Sequence, residues 1–169
     1  MRPGGGKTKG ASFEREVCKQ LSLWISHGKQ EDVFWRSSMS GGRSTVAAAK
    51  GKRLATQAGD ISCIHPAGQP FANRFLIECK FYADLGFQGL LTGTGHLVDF
   101  WLTTRREANR CGKLPLLIAK QNHILPLACL ERSGIELLGL AKRAVLIVPE
   151  QNLSIIPFHE FLVNAVRPT

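Results

Sequence analysis

Arg74 to Tyr82 reads RFLIECKFY, and this stretch decides the fold. Its aromatic and β-branched residues make it the strongest strand candidate in the chain. Side chains alternate along a strand. Phe75, Ile77, Cys79 and Phe81 therefore share one face, and Leu76, Glu78, Lys80 and Tyr82 share the other. Glu78 and Lys80 project together from an otherwise apolar strand. Charge in such a place is costly unless it is paired or bound to metal. A lone Glu-x-Lys in a strand is ordinarily an ion pair on a solvated face.

Upstream, Gly59 to His65 (GDISCIH) reads as a second strand, and Pro66 to Gln69 (PAGQ) as a turn. The two strands are expected to form a hairpin that brings Asp60 beside Glu78. Two carboxylates with nothing between them repel, so a divalent cation is a natural occupant. Lys80 alongside can orient a water or neutralise a phosphate oxygen. By itself, Asp60 reads equally as a strand-opening turn residue. Further upstream, Ala11 to His27 has helical spacing, with Phe13, Val17, Leu21, Trp24 and Ile25 as its apolar stripe and Gly28 as its stop. Glu14 lies about 50° from the centre of that stripe, Glu16 about 110° away and Arg15 nearly opposite. Glu14 thus leans toward the core, although an acid in a first helical turn is also favoured by the helix dipole.

The remaining chain fills in around these elements. Residues 1–10 read as a flexible basic arm, Asp32 to Ser38 as a short strand, and Met39 to Ala58 as a long basic loop. After Tyr82, a helix is expected from about His96 to Asn109. Strands follow over Leu114–Lys120 and His123–Leu130, with a short helix around Ala128–Leu138. A strand over Arg143–Pro149 and a helix over Pro157–Val163 complete the order. The expected fold class is α/β: a mixed β-sheet flanked by helices, in one domain over 11–169 with a basic insertion at about 39–58.

The chain has 169 residues, 44% hydrophobic and 21% charged, which suits one globular domain. No apolar run reaches the length of a membrane span, and the start lacks the apolar core of a secretory signal. The net charge is +9, and residues 1–57 hold 11 basic against 4 acidic side chains. Such a balance favours a polyanionic partner. The five cysteines show no C-x-x-C spacing, none of the five histidines pairs with one at zinc-ligand spacing, and a reducing, cytoplasmic compartment fits. Gly4 to Thr8 (GGGKT) lacks the strand and first glycine of a phosphate loop. Gly93 to His96 (GTGH) reads as a hinge before a helix, so no nucleotide cofactor is expected. There is no G-x-S-x-G, and Cys79 points away from Glu78 and Lys80, which removes serine and cysteine hydrolases.

Lys9-Gly10-Ala11-Ser12-Phe13-Glu14-Arg15-Glu16, Gly59-Asp60 and Ile77-Glu78-Cys79-Lys80 together resemble the PD-(D/E)XK nuclease superfamily, and within it the archaeal-type Holliday junction resolvases. The resemblance runs from about Lys9 to Lys120 and includes Arg36 with Ser37, Ser38 and Ser40-Gly41. It implies a restriction-endonuclease-like fold. It also implies a metal-dependent endonuclease acting on DNA, with Glu14, Asp60, Glu78 and Lys80 as catalytic residues. Asp60, Glu78, the Cys79 carbonyl and Glu14 would hold Mg²⁺, with Mn²⁺ able to substitute. Lys7, Lys9, Arg15, Arg36, Ser40, Arg43, Lys50, Lys52 and Arg53 are candidate contacts to the DNA backbone.

The resemblance further implies branched or four-way DNA as substrate and a homodimer that makes paired cuts. The long basic segment before Asp60 departs from the compact resolvases and bears on junction specificity. A nicking or restriction-like nuclease of a phage or other mobile element is the alternative among enzymes. A non-catalytic DNA-binding module is the alternative outside them, although a binder has no need of an acidic cluster facing a polyanion.

Overall fold

The computed structural model describes residues 5–37 and 58–168, with side chains from residue 8 onward. The elements in chain order are α1 (Gly5–Ile25), β1 (Phe34–Arg36), β2 (Ile61–Cys63), α2 (Gln69–Arg74), β3 (Phe75–Tyr82) and α3 (His96–Arg110). They continue with β4 (Leu114–Gln121), β5 (Leu127–Leu130), α4 (Arg132–Leu137), β6 (Leu146–Val148), β7 (Leu153–Pro157) and α5 (Phe158–Asn164). The main sheet has five strands in the order β3-β4-β5-β7-β6. The β3–β4 pair is parallel and the other pairs are antiparallel. Parallel neighbours need a crossover, and α3 supplies it. This is the mixed sheet flanked by helices that the residue pattern requires.

The sheet divides the core in two. On one face, Phe13, Val17, Leu21 and Trp24 of α1 join Ile77, Cys79, Leu116, Ile118 and Phe161. On the other, Leu97, Val98 and Trp101 of α3 join Leu117, Ala119, Cys129 and Ile155. Each large apolar side chain buried this way contributes about 1.5–3 kcal/mol. The first helix is fixed to the small β1–β2 sheet by Ser22. This buried side chain donates to the Cys18 carbonyl at 2.7 Å and accepts from the Phe34 N–H at 2.9 Å.

Several expectations are corrected. The second strand does not form a hairpin with β3. It pairs antiparallel with β1, Arg36 opposite Ile61. Between β2 and β3, Pro66 opens a 3₁₀ turn and Pro70 opens α2, because proline's fixed φ suits a first helical turn. Arg74 therefore ends a helix rather than starting a strand. Helix α1 begins at Gly5, so residues 5–10 are helical where a flexible arm was expected. Once the amphipathic part has nucleated, each further residue needs only one added hydrogen bond.

The turn before β5 places His123 in the left-handed region (φ 62°), which delays the strand to Leu127. Ala128 to Leu130 lie in that strand, so α4 starts only at Arg132. Strand β7 was not anticipated. The expected loop over 39–58 lies, except for Ala58, outside the described residues.

Candidate active site

Asp60 reaches β3 by backbone contact. Its N–H donates to the Ile77 carbonyl at 2.9 Å, and its own carbonyl accepts from the Ser37 N–H at 2.8 Å. This puts the start of β2 against the open edge of β3. The close approach depends on Gly59, whose φ is +90° and whose missing Cβ would lie 2.7 Å from the Ile77 oxygen. Any larger residue there is strained twice, by conformation and by contact.

The result is a tight cluster. The Asp60 carboxylate accepts from the Cys79 N–H at 3.0 Å and from Lys80 Nζ at 3.3 Å. Lys80 Nζ also donates to Glu78 at 2.8 Å. Asp60 is 7% exposed and Glu78 9%. Glu78 and Lys80 rise from the same face of β3, while the Cys79 side chain lies buried in the opposite core.

Burial and opposing charge set the proton balance. For Glu78, burial comes first, followed by the hydrogen bond and negative charge of Asp60; together they push its carboxyl up to about 9 despite Lys80. For Asp60, burial also acts upward. It is outweighed by the Glu78 hydrogen bond, the Lys80 charge and the Cys79 N–H, which hold the carboxyl below its ordinary value. Lys80 loses from burial but gains more from Glu78 and Asp60, so its ammonium is held above the usual lysine range. Burial and Asp60 thus favour the protonated form of Glu78, while Asp60 is held toward its carboxylate and Lys80 toward its ammonium.

Glu14 on α1 is held by β1, its carboxylate accepting from Arg36 Nε. Among the described residues, no three His, Cys, Asp or Glu side chains stand close enough together to hold a metal ion. Helix α1 packs on the Ile77–Cys79 face of the sheet, and Glu78 alternates onto the other. Glu14 does lie near enough to add to the upward shift of the Cys18 and Cys79 thiols, after burial as the main cause.

Of the candidate DNA contacts, Lys9 and Arg15 are exposed, and Arg36 is half-buried and paired with Glu14. The Lys7 side chain, Ser40, Arg43, Lys50, Lys52 and Arg53 lie outside what is described. Reading by residue type named Ser37 only within the segment after Arg36 and missed the contact of its hydroxyl with that of Ser62 at 2.6 Å. It also missed Lys120, whose Nζ sits 5.5 and 5.4 Å from the ring centres of Phe13 and Phe81. Neither contact has a local signal, because both arise from tertiary packing.

A family model described as "Phage putative PDDEXK endonuclease" matches residues 5–154. That span contains α1, the Asp60–Glu78–Lys80 cluster and the whole of β3 and β4. No curated protein and no solved structure matches the chain.

Proposed function

The chain belongs to that family of phage PD-(D/E)XK endonucleases, and from this premise we propose a Mg²⁺-dependent DNA endonuclease that selects branched DNA, a four-way junction above all. The observation that carries the reading is the buried Asp60–Glu78 pair bridged by Lys80. Nothing in the core needs two acids and a lysine at one sheet edge, and burying them is costly.

The donor set fits a hard divalent cation. Mg²⁺ is usually held by one or two carboxylates, with water and substrate phosphate completing its shell. Asp60 and Glu78 would supply the carboxylates and the Cys79 carbonyl a third oxygen, with Mn²⁺ as a substitute. When bound, the ion supplies neutralisation of charge at the phosphate under attack and help for the leaving oxygen.

The chain's own groups do the positioning. The Cys79 N–H fixes one Asp60 oxygen, and the Gly59 approach fixes its backbone. Lys80 stays an ammonium between Asp60 and Glu78, so its role is to orient the attacking water and stabilise negative charge rather than to take a proton. Glu14, paired with Arg36 in this structure, would bind the metal through water or hold a second ion. Lys7, Lys9, Arg15 and Arg36, with Ser40, Arg43, Lys50, Lys52 and Arg53, hold the backbone of the DNA.

Two cuts across a junction need two sites, hence a homodimer. Val145, Leu146 and Ile147 are exposed at the edge strand β6 and offer a surface for the second copy. The phage endonuclease description of the family favours a broader second reading, a nicking or restriction-like enzyme. Competition separates the two. A junction-selective enzyme keeps cutting labelled four-way DNA in an excess of linear duplex of the same sequence. A nicking or restriction-like enzyme is inhibited by that duplex.

A further inference from the structure

Beyond the carboxylate cluster, the same face of β3 ends in an aromatic patch. Glu78, Lys80 and Tyr82 alternate onto one face, and Tyr82 is 44% exposed. Its ring lies 4.5 Å from that of His96 and 5.5 Å from that of Phe100, centre to centre. His96 and Phe100, one turn apart at the start of α3, stack nearly parallel at 6.0 Å. His96 is exposed and Phe100 half-buried. The patch is therefore a solvent-facing shelf built from two elements.

We propose that Tyr82, His96 and Phe100 form a stacking shelf for an unpaired base of the DNA strand being cut. The proposal rests on the nuclease reading above and names its substrate class more narrowly: DNA with at least one unpaired nucleotide beside the scissile phosphate.

Three observations carry it. The shelf continues the strand face that holds the candidate catalytic side chains. At about 3.3 Å per residue, Tyr82 lies about 7 Å from Lys80 and about 13 Å from Glu78 along the strand, a reach of roughly two to four stacked base steps. The chemistry at the shelf suits a base and not a phosphate. The exposed surface of Tyr82, His96 and Phe100 is ring face, with no cationic group of their own held as a fork for phosphate, and exposed Asp84 and Asp99 flank it in sequence while Lys80 lies toward the catalytic cluster. Finally, aromatic rings beside a nuclease site bind single strands without reading sequence, because every base presents a π-face. A paired base inside a duplex presents no free face, so the shelf favours branched, frayed or single-stranded DNA.

The test uses the full-length protein in EDTA, so that cutting plays no part. The probe is a four-way junction carrying one 2-aminopurine at a position one to four nucleotides from the branch. Wild type is expected to quench the fluorescence at one of these positions. Tyr82→Leu loses the quench and binds a single-stranded oligonucleotide about tenfold more weakly, whereas Tyr82→Phe retains both. An abasic site at the quenched position weakens wild-type binding by a similar factor, which tests the contact without altering the fold of the protein. Equal quenching by wild type and Tyr82→Leu, or no effect of the abasic site, overturns the proposal. If wild type fails to cut any DNA with Mg²⁺, the nuclease reading fails, and the quench and abasic results still decide the shelf.

Discussion

Lys80 donates hydrogen bonds to two buried acids, Asp60 and Glu78, and this arrangement has consequences for substitution. Lys80→Met should lower cleavage by about 10²–10³-fold, the usual loss when one stabilising donor leaves a transition state. It should also lower stability, since Asp60 and Glu78 then face each other without a cation. Paired thermal melts and single-turnover rates separate the effects: a rate loss larger than any unfolded fraction explains places Lys80 in the chemistry. Ser22→Ala tests a residue outside the site. It strands the Phe34 N–H in the core and should cost about 1–3 kcal/mol, a drop of about 2–12 °C in Tm for a chain of this size. Glu78 and Lys80 were legible from the alternation of RFLIECKFY only as charges that share one strand face. Ser22 and Ser37 were not, because a serine's value depends on which backbone group tertiary packing brings to it.

At the scale of elements, the site hangs on how β2 meets β3. The sequence pattern found both strands and read the second as Arg74–Tyr82, one residue longer than the Phe75–Tyr82 of the structure. It misjudged their relation, because the chemistry of Pro66 and Pro70 reads as a turn whether the chain reverses in a hairpin or winds through two short helical turns. Asp60 still arrives beside Glu78, by an edge contact that only glycine at position 59 permits. Gly59→Ala should therefore cost roughly 1–3 kcal/mol from the left-handed φ and the clash with Ile77. It should cut activity more than Gly28→Ala, where nothing lies within 4 Å of the added Cβ. Denaturant unfolding and cleavage rates on the two variants check this; equal activity in both would remove Gly59 from the account of the site. The pairing of Glu14 with Arg36 also belongs to this scale. Helical phase predicts that Glu14 leans inward but cannot say which sheet face α1 covers.

For the whole molecule, the net charge of +9 and the cluster make one account under the proposed function: positive charge would gather DNA and the buried acidic pair would act on it. Binding should weaken steeply with salt, with a slope in log K against log [salt] set by the number of phosphates contacted. Charge reversal at exposed Lys9 and Arg15 should flatten that slope while leaving the preference among sequences unchanged. Fluorescence anisotropy over a salt series reads both. The thiols give an independent check on the fold. Buried Cys18, Cys79 and Cys129 have pKa values pushed up by burial, to about 12 for Cys18 and Cys129, whereas Cys63 and Cys111 are partly exposed. A thiol reagent at neutral pH should label at most these last two in the folded protein and all five after unfolding.

The central claim is that Asp60 and Glu78 form the catalytic acid pair, and cleavage of a labelled four-way junction by wild type, Asp60→Asn and Glu78→Gln, with Mg²⁺ and with EDTA, tests it most directly. The account predicts cutting by wild type with Mg²⁺ only, and loss of at least 10²-fold in each variant with DNA binding retained. Cutting that persists in either folded variant, or that proceeds unchanged in EDTA, would contradict it.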